Sequence, residues 1–270
     1  MIQLVVTAPA AEVEVASDAL WSLGVVAVEE RTGADGAVEL WTSLGDDREV
    51  VAAAVADFPA SWRWRTVEVD ETVADTWRQF ASPVWVASDL VVCPAWRPES
   101  FEDAVTVVRI EPGSTFGMGD HPTTVSSLRA LRRQLRPGAT VLDVGCGSGV
   151  LAVAAVMLGA SSAHGIDISP AAVPTTAANA ERNGVADCVT AVTTPLAEVP
   201  GSYDLVVANI LAPALVELAA DLRRVVAPGG SLVISGILAD RYDHVLAALA
   251  PFGVVHVDEM DGWVAVTLRR

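Results

Sequence analysis

The stretch Val141-Leu-Asp-Val-Gly-Cys-Gly-Ser-Gly149, read with Gly165-Ile-Asp-Ile168 downstream, decides the fold of this 270-residue chain. Residues 141–144 alternate Val and Leu character and predict a buried strand. Glycines follow at 145, 147 and 149, and the apolar run 150–158 predicts a helix that stops at Gly159. Strand, glycine loop and helix open a nucleotide-binding βαβ unit. Glycine lets the backbone turn tightly and lets a ligand lie against the main chain without a Cβ in the way. The next strand, 163–168, carries Asp167 about 20 residues beyond Gly147, the range at which a carboxylate accepts hydrogen bonds from ribose hydroxyls.

The nucleotide is constrained by what surrounds the loop. The third glycine of the dinucleotide fingerprint would fall on Val150, and Asp143 stands two residues before Gly145. The chain contains no lysine, which excludes a P-loop, and no positive charge near the motif invites a polyphosphate. A ligand with ribose, adenine and a sulfonium cation but no phosphate suits Asp143 and Asp167. S-adenosylmethionine has that chemistry. The bland alternative is a glycine-rich turn in some other α/β protein.

Outward from the motif, strands and helices alternate. Helices are expected at 171–183, 215–226 and 240–249, and strands at 188–192, 203–209 and 231–235, the last entered through Pro228-Gly-Gly230. Residues 254–260 and 263–268 read as a closing hairpin. This pattern demands a mainly parallel sheet covered on both faces, with one antiparallel strand from the hairpin. Upstream, 84–92 and 104–110 read as strands. Between them and the motif lies Glu111-Pro-Gly-Ser-Thr-Phe-Gly-Met-Gly-Asp-His-Pro-Thr-Thr124, a supple loop from which Pro122 starts a helix to about residue 135. Phe116 and Met118 on such a loop mark a lid or substrate-positioning segment.

Residues 1–70 form a separate pattern. Strands at 2–7, 25–30, 37–42 and 62–69 alternate with helices at 10–23 and from Asp46 or Asp47 to 57, the βαββαβ order of a ferredoxin-like domain. Residues 71–82 then serve as a linker with a short helix at 72–80, and 83–270 as the catalytic domain. The formal net charge is -17, and residues 1–70 carry 13 acidic residues against 4 arginines. So strong a negative field disfavours nucleic acid and suits a basic protein docking on the front domain. Cys93, Cys146 and Cys188 are scattered and odd in number, which points to reduced thiols in a cytoplasm and to no metal site. Cys146 reads as a packing residue rather than a nucleophile. No apolar run is long enough to span a bilayer, and the first residues lack the pattern of a signal peptide.

Four passages carry a resemblance: EPGSTFGMGDHPTT, VLDVGCGSGVLAVAAVMLGA, GIDISPAAV and VVANILAPALVELAADLRRVVAPGGSLVISGIL. They are similar to the PrmA family, class I S-adenosylmethionine-dependent methyltransferases of large-subunit ribosomal protein eleven. The resemblance covers about 72–270 well and the front domain mainly in element order. It implies cofactor contacts at Thr124, Gly145, Asp167 and Asn209, to which the motif itself adds Asp143, Gly147, Gly149 and Phe116. It also implies transfer of methyl groups to Lys side chains or an N-terminal amine. Asn209 and the main chain of Ile210 would aim the amine, with His121 as a secondary candidate base. The sequence departs from the family at Met118, Asp120 and Ser169, and Asp120 can cap the helix that follows. A protein-lysine methyltransferase with another target, a small-molecule N-methyltransferase and a non-catalytic binding module are the competing readings. The last predicts cofactor binding without methylated product.

Overall fold

Apolar alternation along Ile2–Ala8 makes this segment a strand (β1) of the computed structural model, with Leu4, Val6 and Ala8 fully buried on one face. The structure describes residues 2–23, 25, 28–33, 37–45, 47–56, 58–68, 81–113 and 115–269. Two units separate within it, Met1–Ala81 and Ser82–Arg270.

In the first unit, β1 is followed by α1 (Val13–Ser22), β2 (Glu29–Thr32), β3 (Val38–Thr42), α2 (Arg48–Ala54) and β4 (Arg63–Glu68). The sheet runs β2-β3-β1-β4 with every neighbour antiparallel, the arrangement of a split βαβ fold. Its core joins Leu4, Val6, Ala16, Leu20, Leu40, Val51 and Trp62. Asp47 caps α2, accepting from Glu49 N and Val50 N, while the alternative cap Asp46 lies outside the described residues. The second strand begins at Glu29, later than the 25–30 expected, because its ladder with β3 starts at the Glu29–Trp41 pair. The helix expected at 72–80 lies outside the described residues.

The second unit opens with β5 (Val84–Ala87), β6 (Leu90–Pro94) and β7 (Thr106–Ile110), β5 and β6 antiparallel, β6 and β7 parallel. The single strand expected at 84–92 is therefore a hairpin that turns at Ser88–Asp89, two polar residues with turn chemistry. Then come α3 (Pro122–Gln134), β8 (Thr140–Val144), α4 (Val150–Met157), β9 (Ser162–Ile166), α5 (Ala172–Arg182), β10 (Val189–Val192) and β11 (Tyr203–Asn209). The chain continues through α6 (Ala212–Glu217), α7 (Ala219–Val225), β12 (Val226–Leu238), α8 (Asp243–Ala248), β13 (Gly253–Met260) and β14 (Trp263–Arg269). The helix expected at 215–226 is broken at Leu218 (φ -83, ψ 2) into α6 and α7.

The seven-stranded sheet has the order β10-β9-β8-β11-β12-β14-β13. Only β14 runs against the others, inserted between β12 and β13. One core packs α3, α4 and the small sheet onto one face, and a second packs α6, α7 and α8 onto the other. Helix α4 is buried nearly all round, which accounts for its unbroken Val/Leu/Ala sequence. Among the described residues no helix is long and apolar enough to cross a membrane.

Candidate active site

Strand order reverses between β8 and β11. At this switch point the parallel strands end together: Val144 lies beside Ile166 and Ala208, and Asn209 beside Ser235. Gly145, Asp167 and Asn209 thus sit at one carboxyl edge, where open α/β sheets bind ligands.

The glycine loop is built by backbone conformation. Gly145, Gly147 and Gly149 have φ of 76, 52 and 79, a region closed to most side chains. Gly145 N and Cys146 N both donate to Ile166 O, at 2.8 and 3.1 Å. The positive φ values bear out the tight turn expected of the glycines, and their bare Cα atoms also leave room within the protein. A Cβ at Gly145 would collide with the Ile210 side chain, one at Gly147 would come 2.6 Å from Phe116 O, and one at Gly149 would come 2.6 Å from Thr176 Cγ2. The missing side chains make room for the protein's own neighbours. Asp167 is held from both sides: Oδ2 accepts from Gly147 N and Oδ1 from Ser169 N, each at 2.8 Å. Ser169, which departs from the family, therefore orients Asp167 through its main chain. Each carboxylate oxygen keeps a further lone pair for a ligand.

Two buried oxygens at the site find no partner among the described residues. Thr124 is 1% exposed with Oγ1 unpaired, and Asp143 is fully buried with Oδ1 unpaired. Such groups cost about 1–3 kcal/mol each unless something completes them. Burial pushes the Asp143 carboxyl up to about 7; the Ala152 N–H bonded to Oδ2 at 3.1 Å opposes this, and the Asp167 charge adds to it. The buried Cys146 thiol is pushed up to about 12 by burial first and then by Asp143, which leaves it a packing residue.

The 111–121 loop is fastened to the glycine loop by Ser148, whose N–H donates to Phe116 O at 2.9 Å and whose Oγ donates to Gly117 O at 2.6 Å. Phe116 remains partly exposed, edge-on to His121 at 5.5 Å, and His121 is edge-on to Trp263 at 5.3 Å. His121, not Asp120, caps α3: its Nδ1 accepts from Thr123 N at 3.3 Å and pairs with Thr123 Oγ1 at 2.8 Å. Burial lowers its pKa against the opposing Asp120 charge, which favours the neutral ring. With Nδ1 the acceptor, the neutral ring carries its proton on Nε2, and the side chain holds the start of α3 to the loop. Half-buried Asn209 ends β11, and Ile210 N donates to Ser235 O at 3.2 Å. Gly236 (φ 85) lies against the Ile210 carbonyl, so close that a Cβ there would collide with it. Sequence reasoning passed over Ser148 and Gly236. The only signals were a serine among glycines and a glycine in a strand, and both are weak. Among the described residues no group of three or more His, Cys, Asp or Glu is placed to hold a metal ion.

The profile of a family described as "Ribosomal protein L11 methyltransferase (PrmA)" matches residues 1–270. The ribosomal protein L11 methyltransferase of Pelotomaculum thermopropionicum is 42% identical over 227 residues, 83% of this chain and 74% of that protein. Its counterpart in Geobacter sulfurreducens is 43% identical over 229 residues, 84% of this chain and 74% of that protein. The crystal structure of the ribosomal protein L11 methylase from Lactobacillus delbrueckii subsp. bulgaricus aligns with a TM-score of 0.65 at 31% identity, covering 71% of this chain and 98% of that one. With these matches along the chain and the methyltransferase strand order, this chain belongs to the ribosomal protein L11 methyltransferase (PrmA) family.

Proposed function

We propose that the chain transfers methyl groups from S-adenosylmethionine to amines of ribosomal protein L11, at Lys side chains or the N-terminal amine, in the cytoplasm. The observation that carries this reading is the switch-point edge, where Gly145, Asp167 and Asn209 meet beside the glycine loop. The cofactor supplies an activated methyl group on a sulfonium cation. Asp167 accepts from the ribose diol with the lone pairs its backbone donors leave free. The main chain of Gly145, Gly147 and Gly149 faces the methionine part, and the unpaired Thr124 Oγ1 bonds its amino-acid end. Asp167 suits a cation and offers nothing to a phosphate. Phe116 covers the site from the adjoining loop.

Methyl transfer to an amine is an in-line displacement that needs alignment more than acid–base help. The amine must arrive neutral, and its ordinary pKa of about 10.4 falls on burial beside a cation. Asn209 Oδ1 and the Ile210 carbonyl then accept its hydrogens and aim the lone pair. The front domain, with its acidic excess, docks the basic protein. The three free cysteines fit a reducing compartment.

The test is intact-protein mass spectrometry of unmodified ribosomal protein L11 after incubation with the chain and S-adenosylmethionine. Increments of about 14 Da, one methyl replacing one hydrogen in the displacement, are expected from the wild type and not from Asp167→Ala. A wild type that binds the cofactor and leaves L11 unchanged would overturn the target assignment and turn attention to Met118 and Asp120.

A further inference from the structure

The outer edge of β7 is closed by side chains rather than by a strand. β7 stands last in the order β5-β6-β7, so its outward N–H and C=O groups have no ladder neighbour. Asn183 serves as one: its Oδ1 accepts from Arg109 N and its Nδ2 donates to Arg109 O, both at 2.8 Å. One turn earlier, Asn179 treats Glu111 the same way, accepting from its N and donating to its O, both at 2.9 Å. The spacings match, since four helical residues rise about 6 Å and two strand residues about 6.6 Å. The sequence Asn179-Ala-Glu-Arg-Asn183 is a two-rung ladder written on a helix.

Asn179 reaches further than Asn183. It also donates from Nδ2 to Ser148 O at 2.8 Å, and Arg182 Nη1 donates to its Oδ1 at 2.5 Å. Both donor hydrogens and both lone pairs of a fully buried amide are therefore used. Ser148 in turn holds Phe116 O and Gly117 O. One side chain thus ties the root of the 111–121 loop to the glycine loop, whose serine ties down the middle of the same loop.

We infer that Asn179 is a positioning residue for cofactor binding, holding the two loops of the cofactor site in one geometry, whereas Asn183 only closes the strand edge. This rests on the methyltransferase reading of the site. Asn179→Ala removes the bonds that Asn179 makes to Glu111 and to the Ser148 carbonyl, and the loops gain freedom that binding must then remove.

The experiment compares wild type, Asn179→Ala, Asn179→Asp and Asn183→Ala by calorimetric titration with S-adenosylmethionine, thermal unfolding and steady-state kinetics on L11. Asn179→Asp keeps the acceptor for Glu111 N but loses both donors. Both Asn179 variants are expected to raise Kd and KM for the cofactor about tenfold, the scale of one or two lost bonds. Turnover at saturating cofactor should fall much less. Asn183→Ala is expected to lower Tm while leaving the cofactor Kd within about threefold, because it cuts no link to the glycine loop. Folded Asn179 variants with unchanged Kd would overturn the inference. Should they fail to fold, Ser148→Ala breaks the next link of the same chain, Oγ to Gly117 O, and an unchanged Kd there would show that fastening the two loops does not set cofactor affinity and so overturn the inference. A wild type that does not bind the cofactor would instead sink the methyltransferase reading itself.

Discussion

Asp143 and Asp167 differ in burial and in their donors. Asp167 has a backbone donor on each oxygen, whereas Asp143 has one donor and one unpaired oxygen in full burial. The folded-state value of Asp143, about 7, lies above its ordinary 3.8, so the folded chain retains a proton that the unfolded chain has lost. The stability this confers is complete below the unfolded value and is lost as pH rises through 7. Asp143→Asn, which keeps an acceptor for Ala152 N, should therefore gain more Tm relative to wild type at pH 8 than at pH 5. A difference that does not grow with pH would refute this. Asp167→Ala removes the proposed ribose acceptor and two backbone caps, and isothermal titration should show cofactor affinity reduced at least a hundredfold, about the 2.7 kcal/mol of two charge-assisted bonds. Native Cys146, buried with its thiol at about 12, should resist iodoacetamide at pH 8 until the protein is denatured, as peptide mapping would show. Asp143, Asp167 and Asn209 were legible in the sequence because each stands at a strand end that motif spacing locates. The reassignment of the cap from Asp120 to His121 was not, because it depends on which side chain turns back onto Thr123.

The glycine loop shows how an element can be located from sequence before all that shapes it is known. Its positions are plain in the spacing, but the neighbours that need its missing side chains, Ile210, Phe116 and Thr176, come from three distant segments. Gly145→Ala combines a positive φ with displacement of Ile210, so it should cost about 1 kcal/mol of backbone strain and more in repacking. If Ile210 aims the acceptor amine as proposed, kcat should drop by a larger factor than cofactor affinity. Equal losses in both would place the damage in the cofactor pocket alone. Elsewhere the errors have local causes. Ser88–Asp89 punctuate an apolar run that otherwise reads as one strand. The break at Leu218 carries no glycine or proline, so nothing at that position announces it. Buried α4 was legible as a helix only because the glycines and Gly159 bound it, its apolar residues having no preferred face.

At the scale of the whole molecule, charge is the property most easily read from sequence and least explained by any contact. Half of the negative excess falls within residues 1–70. If that excess draws a basic protein, KM for L11 should rise steeply between 50 and 500 mM salt as the screening length shortens from about 14 to about 4 Å. A flat salt profile would remove electrostatic docking from the account. The division into two units was legible because the periodicity changes from a βαββαβ pattern to strict alternation, whereas the position of β14 was not. Its placement between β12 and β13 has a consequence for how the chain comes into being. Because β13 precedes in sequence the strand that joins it to the sheet, β12 has an open edge and β13 nothing to pair with until β14 is in place. β14 makes both ladders, with Val264, Ala265, Val266, Thr267 and Leu268 buried in the sheet. Until it does, the exposed edges of β12 and β13 are the ones most open to capture by a foreign strand.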